Sequence, residues 1–162
     1  MRHTKPKTGL LVFSEPIPDE HHVARHVPKR LRGRQSGQDF VFPQAFSLRE
    51  AINEREQERF LSMSWLEFFN GSHEEKLRQT VQEMRGYPRD LKPKDALALL
   101  IVGKIKELGG QRGQRLRVLH EPELPGKPAY SAIRGMKRDD TELLALIAAD
   151  AVAEIVEINL IG

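Results

Sequence analysis

A chain of 162 residues, 39% apolar and 30% charged, has room for one hydrophobic core beneath a heavily solvated surface. It has no cysteine, which excludes disulfides, a thiol nucleophile and thiolate zinc sites, and no run approaching the roughly 20 apolar residues that span a bilayer. The net charge of +3 is unevenly spread: residues 1–40 hold eight Lys/Arg against four acids, whereas residues 135–162 hold two against six.

Arg2, Lys5 and Lys7 precede an apolar run at 10–13, but Ser14, Glu15 and Pro16 end it too soon for a signal-peptide core. A cytoplasmic location is the expectation. Pro6, Pro16, Pro18, Pro28 and Pro43 punctuate residues 1–46, and proline neither donates to a ladder nor sits inside a helix. The reading is an irregular basic N-terminal arm over 1–46, with short strands at 9–13 and 39–42, ahead of an α+β core over 47–162.

Ser47 and Glu50 have capping-box spacing, and Ser64 and Glu67 repeat it within the aromatic stretch 60–69. Asn70-Gly71 reads as a turn. Ser72 with Glu75 caps a helix over 73–85, where Leu77, Val81 and Met84 share one face, Glu74 can pair with Arg78, and Gly86 is placed as the stop. The apolar run at 99–103 reads as a buried strand. Gly109, Gly110 and Gly113 then suggest a loop, and Leu116, Val118 and His120 alternate with neighbours, so a hairpin is expected at 97–120. Pro122, Pro125 and Pro128 impose an extended loop. Asp139, Asp140 and Thr141 can cap a second helix over 140–153, with Leu144, Ile147, Ala148 and Ala151 at helical spacing, and 156–161 reads as a last strand. The expected fold is a small single α+β domain with two main helices.

Three features are candidate sites. Residues 19–26 hold Asp19, His21, His22 and His26. On a helix His22 and His26 would share a face with Asp19 a turn behind, a partial ligand set for zinc or non-haem iron. On a strand the two histidines stand about 13 Å apart and cannot chelate one ion. The second feature is a basic run, Arg25, Lys29, Arg30, Arg32 and Arg34, with no acid inside it. Lys104, Lys106, Arg112, Arg115 and Arg117 form another basic cluster, against Glu107. Clustered cations of this kind suit phosphate contacts. No aromatic lies between Phe13 and Phe40, so the first cluster has no base-stacking platform of its own. The third feature is Trp65, Phe68 and Phe69, either core or interface anchors.

Phosphate-loop, dinucleotide-binding, nucleophile-elbow and zinc-protease motifs are all absent. His73-Glu74, His120-Glu121 and Ser131 could join a triad only by convergence in the fold. The sequence therefore points to a non-enzymatic accessory or interaction subunit. Its partner would be an acidic protein or a nucleic acid bound without sequence preference. The contacts would be Arg25, Lys29, Arg30, Arg32, Arg34, Arg112, Arg115 and Arg117. No cofactor, membrane or disulfide partner is expected. The alternative is a metal-dependent hydrolase or nuclease using His22, His26 and Asp19.

Overall fold

The computed structural model describes residues 2–4, 12–48, 59–86, 90–123 and 126–161. Its ten strands are β1 (Arg2–Thr4), β2 (Val12–Pro16), β3 (His22–Val27), β4 (Arg32–Gln35), β5 (Gln38–Val41), β6 (Leu61–Trp65), β7 (Ala96–Ile101), β8 (Arg117–His120), β9 (Tyr130–Arg134) and β10 (Val152–Glu157). Eight of them form one sheet in the order β1-β2-β8-β9-β6-β3-β7-β10, with every pairing antiparallel. β4 and β5 form a separate hairpin.

Three helices lie on the sheet among the described residues: α1 (His73–Arg85), α2 (Val102–Gln111) and α3 (Thr141–Leu146). Val23, Val27, Leu61, Met63, Ala98, Leu100 and Ile133 pack in one cluster with Ile105 and Leu108 of α2 and Leu143 of α3. Ala24, Leu97 and Leu99 point the other way and meet Leu77, Val81 and Met84 of α1. β7 is thus covered on both faces, which is why its sequence is an unbroken apolar run. Leu97, Leu99 and Leu100 are fully buried, each contributing about 1.5–3 kcal/mol.

The α+β class and the single domain agree with the sequence reading, and so does α1. Ser72 Oγ accepts from the Glu75 N–H, and Gly86 closes the helix by donating to Gln82 and Glu83 carbonyls. Other expectations are corrected. There is no hairpin at 97–120: after β7 the chain turns into α2, and β8 pairs with β2 and β9 instead. Val102, Ile105, Leu108 and Gly109 are the buried positions of α2, a helical spacing that the glycine pair obscures. The second helix ends early, as α3 widens into a π turn over Ile147–Ala151 and β10 starts at Val152. Ser64 and Glu67 cap nothing, since Ser64 lies within β6 and Glu67 in a 3-10 turn that meets His22.

Within the expected N-terminal arm, the described residues 12–46 supply strands and core side chains. β3 runs between β6 and β7 in the interior of the sheet, and Ile17, Val23, Val27, Val41 and Phe46 belong to the main core. The prolines at 16, 18 and 28 bracket β3 rather than break it. The expected strand at 39–42 is β5; the one at 9–13 overlaps β2, with residues 9–11 outside the described residues. The capping box of Ser47 and Glu50 also falls outside them at its second member, as does Pro125 in the expected loop.

Candidate functional site

β3 delivers His26 and Val27 to one end of the sheet, where Pro28 turns the chain into a 3-10 turn over Lys29–Leu31 and then into the β4–β5 hairpin. Across from this turn lies the loop that enters β7, carrying Asp90, Lys92, Lys94 and Asp95. Between them runs an open groove of about 680 Å³, lined by His26, Lys29, Arg30, Lys92 and the two aspartates.

Asp95 holds both rims. It is 4% exposed. Its Oδ1 accepts the Lys29 N–H (2.9 Å), and its Oδ2 accepts the Lys92 N–H (3.1 Å) and His26 Nε2–H (2.9 Å). Burial by itself would raise the Asp95 carboxyl. The bonds from His26, Lys92 and Lys29, with the charge of His26, outweigh it and hold Asp95 below its ordinary value. Because this carboxylate is satisfied by backbone N–H groups and an imidazole, it neutralises no lysine or arginine side chain. The side chains of Lys29, Arg30 and Lys92 are exposed and make no hydrogen bond or ion pair with a described residue. Asp90 stands at the same rim, so three cations face one acid that is not already held.

The hairpin follows the groove's Lys29–Leu31 turn along the chain. Ser36 and Gly37 both have positive φ (52° and 80°), the two-residue turn that suits the twist of paired strands. Phe40 lies across Gly33 so closely that a Cβ there would stand 2.6 Å from the ring, and a larger residue would have to push the ring aside. Phe40 meets Phe42 edge to face at 5.1 Å, and Phe42 is 41% exposed. The Phe42 N–H donates to Leu31 O (2.8 Å), next to Arg30. The pairing therefore places two phenylalanines beside a basic run that, in sequence, has no aromatic within it. The Ser-Gly dipeptide flanked by two short polar–apolar runs was the available signal.

The other cations of the run have different settings. Arg25 is buried, its guanidinium donating to the Ala45 and Ser62 carbonyls (3.1 and 2.8 Å), and it belongs to the core rather than the surface. Arg32 ties the hairpin to the facing loop through Lys94 O (2.7 Å) and pairs with Glu157 (3.2 Å). Arg34 is exposed at the hairpin, its guanidinium donating to Gly37 O (3.2 Å).

The second basic cluster is not brought to this groove. Lys106 pairs with Asp19 (2.7 Å), Lys104 with Glu107 (3.4 Å), and Arg112 with Asp140 (2.7 Å) and Glu142 (2.9 Å). The hydrogen bond from Arg112, with further help from the Leu143 N–H and Gln114, lowers the Asp140 carboxyl against its partial burial. Arg115 and Arg117 remain without a described partner, on a separate groove that shares no residue with the first.

His22 and His26 form separate pairs rather than a cluster. His22 and His26 sit at opposite ends of β3, His22 Nδ1 at 2.6 Å from Glu67 Oε2 and His26 on Asp95. Asp19 is bound to Lys106. The strand conformation removes the shared helical face on which the metal reading depended. Among the described residues no group of three or more His, Asp or Glu is placed to hold a metal ion. Trp65 is half-buried, its indole N–H donating to His21 Nδ1 (3.0 Å) and its ring against His120, with Phe68 exposed beside it.

On the α1 side of the sheet, the other wall of His26 faces a small pocket in which Ser62, Ser64, Glu83, Lys127 and Tyr130 stand among the apolar Ala24, Met63 and Met84. Ser62 Oγ and Tyr130 Oη are 2.7 Å apart, and Glu83 Oε1 accepts the Ala129 N–H (3.1 Å). Burial raises the Glu83 carboxyl, against the lowering by the Ala129 N–H and the Lys127 charge. No helix among the described residues is long and apolar enough to cross a membrane. Comparison of the chain with protein families, with curated proteins and with solved structures finds no match.

Proposed function

We propose that this protein is a non-enzymatic binding module for an anionic chain, single-stranded nucleic acid, which lies along the groove between the Lys29–Leu31 turn and the loop before β7. The observation that carries the reading is the use of Asp95. A buried carboxylate fixes the backbone of both rims while leaving the side chains of Lys29, Arg30 and Lys92 unneutralised. Cations on a fixed backbone suit phosphates, whose attraction is strong at low salt and carries no sequence information. Phe40 and Phe42 add a platform that a flat base can stack on, which a duplex does not offer.

The test is a titration with labelled single-stranded RNA and DNA at low and physiological salt. Replacing Lys29, Arg30 and Lys92 together with glutamine is expected to weaken binding. The salt slope should flatten by about 0.7 for each phosphate that is no longer neutralised. Phe42→Ala is expected to cost about 1–3 kcal/mol of affinity with little change in salt slope. Absence of binding at low salt would remove nucleic acid and leave an acidic protein as the groove's partner. Binding unchanged by the three glutamines would place the binding surface elsewhere.

A further inference from the structure

We infer that the small pocket behind His26 receives a ribose 2′-hydroxyl, so that the groove prefers RNA or a ribonucleotide to the deoxy counterpart. This rests on the groove's binding a sugar–phosphate chain. Two buried polar atoms in the pocket have no partner: Ser64 Oγ, on a residue 6% exposed, and Glu83 Oε2. Interiors almost always satisfy such atoms, and leaving one unpaired costs stability. Both residues line the same pocket, and a ligand group that reached their oxygens there would satisfy them.

The walls select the chemistry of that group. Glu83 repels an anion such as phosphate, and Lys127, which lies over the Tyr130 ring at 5.3 Å, repels an ammonium. A neutral group is left. It must donate to the Glu83 carboxylate and accept from, or donate to, Ser64, and a hydroxyl does both. The interior is about 30 Å³, enough for a hydroxyl but not for a ring. His26 is the wall common to pocket and groove, so a molecule with phosphate in the groove can present a hydroxyl to the pocket. A ribose carries its 2′-hydroxyl next to its phosphates, and deoxyribose does not.

The experiment compares a short oligouridylate with the oligodeoxyuridylate of equal length, using the full chain and its Ser64→Ala and Glu83→Gln variants. Ser64→Ala removes a buried unpaired atom and Glu83→Gln replaces one with an uncharged amide group, so both variants are expected to fold, which the Trp65 fluorescence spectrum checks. The expected result is RNA bound about tenfold more tightly, the worth of one hydrogen bond to a charged group. Both variants should bring that ratio towards one without weakening DNA. Equal affinity for RNA and DNA, with the groove glutamines still weakening both, would overturn the pocket and leave the groove intact. A ratio untouched by both variants would also overturn it, and no binding of either strand ends both readings. Uridine monophosphate competing better than its 2′-deoxy form would assign a free nucleotide as the ligand. RNA preference without such competition would assign the polymer.

Discussion

The two basic clusters look alike in sequence and differ in how the fold treats their charge. Around α2, Lys104, Lys106 and Arg112 each meet a carboxylate side chain, so the cluster is largely neutralised where it stands. Around the Lys29–Leu31 turn, the nearest buried carboxylate takes its bonds from two backbone N–H groups and a histidine, and the cations stay outward. Counting lysines and arginines therefore overstates both surfaces, that of the turn by buried Arg25 and paired Arg32, that of α2 by Lys104, Lys106 and Arg112. What decides the matter is which donor each acid accepts from.

The largest expected effect comes from removing the acid that creates the difference. Asp95→Ala leaves His26 and two N–H groups without their acceptor in a buried setting, and is expected to cost about 3–5 kcal/mol of stability, read by urea denaturation. Its acid dependence has a definite sign. The folded Asp95 pKa lies below the ordinary 3.8, so its stabilisation is fully present above that value. It is lost as pH falls through and below it. Wild-type stability should therefore drop more steeply than that of the alanine variant on acidification below about pH 4.

A smaller effect sharpens the contrast between the clusters. Arg112, Arg115 and Arg117 replaced together by glutamine are expected to leave nucleic-acid affinity and salt slope close to wild type, in the same titration that the groove glutamines flatten. An equal loss from both sets would erase the distinction drawn between them. The smallest effect concerns Glu83→Gln. Burial raises the Glu83 pKa, so ionised Glu83 opposes folding at neutral pH, and this penalty fades as the carboxyl is protonated. The amide keeps the acceptor for the Ala129 N–H. It is expected to gain roughly 0.5–1.5 kcal/mol at neutral pH, with the gain shrinking as pH falls towards the carboxylate range.

How much of this was legible in the sequence follows from what was local. α1 was readable because its cap, its apolar face and its glycine stop all lie within fifteen residues. The hairpin expected at 97–120 failed because Gly109-Gly110 has the composition of a turn, yet Gly109 sits inside α2 against Leu116, where a larger side chain does not fit. β3 was hidden by its flanking prolines, which mark strand ends as readily as disorder. The groove was half-visible: Lys29, Arg30 and Arg34 stand out as a basic run, but Arg25 points inward from a buried strand, on the same side as Val23 and Val27. His26 and Asp95 are 69 residues apart, and no spacing rule joins them. The pocket was invisible for the same reason, being shared among β3, β6, α1 and the loop before β9.

The clamp on the loop before β7 bears on when the site exists. Ile158 N–H donates to Asp95 O and Asn159 N–H to Pro93 O, while Glu157 holds Arg32. The groove is thus assembled from segments near residues 26–34, 90–95 and 157–159, and each must close a long loop before its bonds form. Such a high contact order places folding in the slow range, about milliseconds to seconds for domains dominated by non-local strand pairing. A chain still emerging from the ribosome has its cationic turn long before the clamp that orders the opposite rim. The complete groove is therefore among the last features this fold acquires.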